Sequence, residues 1–170
     1  MSLIIAGIEF PFLAGSAIDL KQSSAPFGQR NVRRSRSGTG RMASRWSKVK
    51  STITGSGRLP PGLESISQTT AVSISFIERF SVAGAGPTLT LPHAYRTDDG
   101  YEPQAVAIVN GFDVKTTAVM AGQVCTVGAV SGASAYKVVY YPVLTGFVSI
   151  KHDDDAGRRD YSWSIEFEQQ

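Results

Sequence analysis

Two histidines, His93 and His152, are the side chains of this chain whose ordinary pKa lies near neutrality. His93 sits in LPHAYRTDDG, close to Asp98 and Asp99, so a Ser/His/Asp trio can be drawn with one of the many serines. A nucleophilic serine needs a strained, exposed turn such as G-x-S-x-G, and the sequence has none. His152 opens the run His152-Asp153-Asp154-Asp155, where three carboxylates concentrate charge suited to a hard cation. A calcium loop alternates its ligands and closes on a glutamate, whereas these aspartates are consecutive, so a solvated turn is the better reading.

Two carboxylate pairs, Asp98/Asp99 and Glu166/Glu168, have the composition of a glycosidase acid and base. That chemistry needs environments that push the two pKa values apart, and Glu166 and Glu168 would simply share one face of a strand. Cys125 is the single cysteine, so neither an intramolecular disulfide nor a zinc set is available. It lies in the apolar run VCTVGAV and reads as a buried, inert thiol. The clusters GTG (38–40), GSG (55–57) and GAG (84–86) lack the Lys-Ser/Thr of a phosphate loop and the spacing of a dinucleotide fold. No catalytic residue, metal site or cofactor is expected.

The strongest signal is electrostatic. The chain has 170 residues and a formal net charge of +3, but residues 1–58 carry ten basic and two acidic side chains while the remainder carries seven and twelve. Nine Lys or Arg fall between Arg30 and Arg58, and no acidic residue occurs from Lys21 to Leu63. Three readings of RNVRRSRSGTGRMASRWSKVK follow. A nucleic-acid contact would use the cations on phosphates and Trp46 on a base. A subunit contact would set the basic segment on a neighbour's acidic surface, residues 98–102 and 153–168. A solvated loop is the third. Only one aromatic interleaves the cations and no known nucleic-acid motif is present, whereas the chain itself supplies both halves of a subunit contact. The subunit contact is therefore preferred, through Arg30, Arg33, Arg34, Arg36, Arg41 and Arg45, with Trp46 as anchor or as an ordinary core residue.

The elements that would carry these residues are strands. Glycine and proline punctuate β-branched and aromatic runs at short intervals, and helical signals are few. LIIAGIEF (3–10) reads as a first strand, without the basic start of a signal peptide. Residues 21–44 read as a basic loop or arm, 45–54 as a strand, and GSGRLPPG as a rigid turn. TTAVSISFIERFSV (69–82) alternates, Thr88–Leu91 is a short strand, and Asn110–Gly111 joins two strands within 105–119. The ending alternates most cleanly: Tyr161, Trp163, Ile165 and Phe167 on one face, pairing as a hairpin with 147–151 across an acidic turn. The expected fold is all-β, a β-barrel or β-sandwich of mostly antiparallel strands, as a single domain over 1–170 with no membrane-inserted segment.

Three stretches resemble small baseplate and tail-tip proteins of phage tails: MSLIIAGIEF, RWSKVKSTITGSGRLPPGLESI, and YYPVLTGFVSI with RRDYSWSIEFEQQ. The resemblance covers about half the chain. It implies a non-enzymatic structural protein of the virion tail, made in the host cytoplasm. It also implies a ring, hexameric by preference or else trimeric, that joins tail tube or hub to surrounding baseplate parts. The alternative is a basic nucleic-acid-binding β module.

Overall fold

A computed structural model describes residues 2–11, 19–28, 30–44, 46–57, 62–155 and 160–170. Apart from a 3-10 turn at Leu63–Ser65, the regular structure among these is all strand. In chain order the strands are β1 (Ser2–Ile5), β2 (Ile8–Pro11), β3 (Lys21–Phe27), β4 (Arg30–Arg34), β5 (Gly40–Ser44) and β6 (Lys48–Gly57). Then come β7 (Val72–Ser75), β8 (Phe80–Gly84), β9 (Thr88–Thr90), β10 (Ala94–Tyr95), β11 (Gln104–Val109) and β12 (Phe112–Thr116). The last are β13 (Ala118–Ala121), β14 (Val124–Val127), β15 (Ala133–Tyr140), β16 (Pro142–Asp155) and β17 (Asp160–Gln169). The assigned ladders are antiparallel. The fold is therefore all-β with antiparallel sheets, as expected, and since the sheets are not closed, the barrel form of the two expected, barrel or sandwich, does not occur. Among the helices of the described residues, none is long and apolar enough to cross a membrane.

The chain divides into two compact units, residues 1–11 with 73–144 and residues 12–72 with 145–170. In the first unit the sheets β12-β11-β15-β8 and β13-β14-β9 enclose a core of Leu89, Leu91, Ala105, Ala107, Cys125, Val127, Tyr136, Val138 and Tyr140. Period-two alternation sends these side chains inward and Thr88, Thr90, Val124 and Thr126 outward. The expected turn at Asn110–Gly111 joins β11 to β12, with φ of 52° and 83° at the two residues. The first strand is instead a hairpin, because Ala6 and Gly7 both take positive φ and reverse the chain between β1 and β2.

In the second unit β16, β17, β6 and β3 lie side by side, with Thr145–Asp155 of β16 belonging to this unit. Val148, Tyr161, Trp163, Ile165, Phe167, Val49 and Ile53 are buried along the ladder, as the C-terminal alternation requires. Residues 21–27, read from sequence as part of a loop, are strand β3. KQSSAPF lacks apolar periodicity because β3 is an edge strand held by β6 and by polar contacts: Gln22 Nε2 and Ser24 Oγ both donate to Ser51 Oγ, at 3.1 and 3.0 Å. Residues 30–44 are likewise a hairpin, not a loop. Strand β6 starts three residues later than expected and runs through Gly55–Gly57, which the sequence had suggested as a turn. Asp153–Asp155 belong to β16, so the acidic stretch is strand as well.

Candidate assembly surface: the basic β4–β5 hairpin

The hairpin is a separate two-stranded sheet. Its register sets Val32 opposite Met42, Arg33 opposite Arg41 and Arg34 opposite Gly40. The tip is a turn closed by the Gly38 N–H on the Ser35 carbonyl at 2.9 Å, with Gly38 at φ 84°. That left-handed position is the one a three-residue hairpin loop needs, and it explains GTG in the sequence. The Ser35 N–H then donates to the Thr39 carbonyl at 2.9 Å and restarts the ladder.

At its base the hairpin is pinched. Phe27 and Trp46 meet edge to face at 5.3 Å, and Gly28 lies so close to the Trp46 carbonyl that a Cβ there has no room. Trp46 thus stands at the root of the segment, 44% exposed and not a core residue. Above the root, residues 32–42 are exposed throughout.

Two features make the hairpin energetically incomplete. A lone two-stranded hairpin is marginal in water. Here Val32 (58% exposed) and Met42 (69%) form an apolar pair in solvent, and two arginines face each other across the ladder, which is unfavourable for like charges. Among the described residues, Arg33, Arg34, Arg36 and Arg41 have no ion pair; Arg34 Nη1 reaches only the Gly38 carbonyl, at 3.4 Å. The side chain of Arg30 and all of Arg45 lie outside the described residues.

Part of the acidic surface expected to receive the arginines is occupied within the chain. Glu166 sits between Lys151 (3.2 Å) and Lys50 (3.3 Å), which hold its carboxyl below the usual range. Glu168 takes Lys50 at 3.0 Å, and those two glutamates push the lysine up. Asp98 pairs with Arg96, and a Glu102 oxygen accepts the Gly100 N–H at 3.1 Å. The side chains of Asp153–Asp155 and Asp160 lie outside the described residues.

The groups singled out for catalysis are not brought together. Asp98 is committed to Arg96, while His93, partly buried and lowered in pKa by that burial, lies edge-on to Phe80 at 6.1 Å. His152 stacks on Tyr161 at 6.1 Å and lines, with Lys151, Ser162, Trp163 and Ser164, a groove of about 330 Å³. Among the described residues no three His, Cys, Asp or Glu side chains converge as a metal set.

Sequence reading missed one node, Arg96. It is 2% exposed, donates from Nη1 to the Ser2 carbonyl (2.7 Å) and the Phe76 carbonyl (3.2 Å), and lies 3.4 Å over the Tyr101 ring. Within PHAYRTDD only its pairing with Asp98 is local; the two carbonyls that hold it in the core are far away in the chain. No protein-family model matches this chain, and no curated protein matches it in sequence.

Proposed function

We propose that this chain is a non-enzymatic structural component of a phage tail, a ring-forming baseplate or distal tube protein joining the tube or hub to surrounding parts. The β4–β5 hairpin serves as the contact arm between subunits. The observation that carries the reading is the pairing of exposed Val32 with exposed Met42 on a hairpin that also opposes Arg33 to Arg41. Such a hairpin is completed by a surface offering both an apolar seat and negative charge. Those are features of a protein interface, in which charge steers and registers the subunits. Arginine suits this role because its planar fork meets a carboxylate with two hydrogen bonds.

The ring, hexameric or trimeric, is tested by light scattering on the eluted native protein. Replacing Arg33, Arg34 and Arg36 with Ser is expected to leave the units folded and to reduce the oligomer mass, more so as salt rises. A triple variant with unchanged mass at every salt concentration overturns the assignment.

One observation favours a second reading. Glu166, Glu168 and Asp98 are already neutralised within the chain, which leaves the arginines fewer carboxylates to meet. A two-stranded ribbon also fits the major groove of duplex DNA. Under this reading the triple variant keeps its mass and loses duplex binding, whose logarithmic salt dependence has a slope of about −0.9 per phosphate contact.

A further inference from the structure

The sheet β13-β14-β9 of the first unit has a property that the rest of the chain lacks. No charged residue occurs from Thr116 to Tyr136, and apart from His93 no ionisable acid or base other than tyrosine lies between Phe80 and Tyr95. All three strands of the sheet come from these two stretches. The core-facing side of the sheet carries Leu89, Cys125 and Val127, all buried. The other side carries Val119 (64% exposed) and Val124 (36%) beside exposed Thr88, Thr90, Ala121 and Thr126. The register sets Thr126 between Val119 and Thr88, and Val124 between Ala121 and Thr90, so these residues form two short rows of small or β-branched side chains.

Strand β13 is the edge of this sheet. An open edge presents unpaired N–H and C=O groups, and proteins usually block it with lysine, proline or a bulge. The adjoining β12, edge of the other sheet, follows that rule with Asp113 and Lys115. Ala118–Ala121 carries none of these devices, and its register with β14 is unbroken.

We propose that β13, with Val119 and Ala121 on its exposed face, forms a two-fold contact with a second copy of the chain, the two β13 strands pairing antiparallel edge to edge. The absence of charge favours a second copy as the occupant. In a two-fold contact every residue meets the same patch of its copy, so any charge near the axis is repelled by its own image. A patch free of charge avoids that repulsion, whereas a different protein could equally well be met by complementary charge. Side-chain alternation requires the register to be centred on a residue, and centres on Val119 or Met120 pair the most of the four-residue strand. Either brings Val119 directly opposite or diagonal to its own copy, within about 8 Å. Four residues span only about 14 Å of edge, so the contact is modest and concentration-dependent.

The contact uses a surface separate from the β4–β5 hairpin and stands whether or not the hairpin joins subunits. Sedimentation of the full chain across a concentration series tests it, with the variants Val119→Lys and Thr126→Lys and the neutral control Val119→Thr. Both lysine substitutions fall on exposed positions. The expected result is a doubling step with rising concentration, of the monomer or of the ring, in the wild type and the control. In Val119→Lys it is at least about tenfold weaker, from image-charge repulsion, and in Thr126→Lys it is weaker in the same direction. Amide exchange in Ala118–Ala121 is expected to slow as concentration rises. The Arg33/Arg34/Arg36→Ser variant is expected to keep this step, so the two contacts fail separately. A wild type without the step, an unchanged step in both lysine variants, or β13 protection that appears only with another protein overturns the proposal.

Discussion

Gly55 and Trp163 are cross-strand partners in the β6–β17 ladder, and the Trp163 indole fills the space where a Cβ on residue 55 would stand. The glycine is there for close approach, and its backbone is ordinary strand. Trp163, 3% exposed, is one of the large buried side chains of the second unit. Trp163→Ala is expected to cost about 3–5 kcal/mol, as large-to-small core changes do. Gly55→Ala is expected to cost about 1–3 kcal/mol through overpacking. Once the indole is removed, alanine at 55 has no clash left, so the double variant is less destabilised than the sum of the two. Chemical denaturation of the three variants measures this coupling.

Arg96 is expected to be indispensable to the first unit. Arg96→Met keeps the aliphatic volume but takes the charged guanidinium donor from the Ser2 and Phe76 carbonyls, at about 1.5–3 kcal/mol for each hydrogen bond to a charged group lost. The loss also frees the N-terminal strand, because Tyr101, under the guanidinium, accepts the Ser2 N–H at 2.7 Å. Amide exchange in β1 is therefore expected to quicken more than in β17. Equal acceleration in both strands counts against a local clamp.

The pH dependence has two parts. Burial lowers the pKa of His93, so the folded chain resists protonating it, and stability is expected to begin falling as pH drops through the ordinary value of 6.5. Asp98 is held low chiefly by its hydrogen bonds to Arg96. The stability it adds is fully present above the ordinary aspartate value of 3.8 and is lost as pH falls through the lower folded value. Thermal melts across pH are expected to show the first decline vanish in His93→Gln and the second shrink in Asp98→Asn.

Tyr140 and Cys125 share one core and behave as buried, inert groups. The Tyr140 hydroxyl is buried without a hydrogen-bond partner among the described residues, and burial pushes its pKa up to about 12. Tyr140→Phe removes an unpaired polar group and is expected to be neutral or to stabilise by up to about 1–3 kcal/mol. The Cys125 thiol, fully buried and also raised by burial, is expected to react with a disulfide reagent only as fast as the unit opens. Rapid native labelling, or a destabilised Tyr140→Phe, contradicts this account of the core.

The sequence by itself determined what depends on near neighbours in the chain. Side-chain alternation has a period of two, so Tyr161, Trp163, Ile165 and Phe167 could be assigned to one buried face before any partner strand was known. Asn110–Gly111 specified its hairpin because turn geometry rests on two residues, and the charge split needed only counting. For the candidate assembly surface, the basic run and its root at Trp46 were legible. The opposition of Arg33 to Arg41 and the exposed Val32–Met42 pair were not, since register is a property of two strands together. Tertiary structure alone decided the rest. Lys21–Phe27 is strand because β6 supplies its hydrogen bonds, the Gly55 segment extends because an indole from β17 needs the room, and Lys50 neutralises Glu166 and Glu168 across more than a hundred residues of chain. Whether the sheets close, which strands are edges and which charges remain unpaired all follow from non-local pairing. Residues distant in the chain become neighbours only when the hydrogen-bonded ladders and buried apolar faces bring them together.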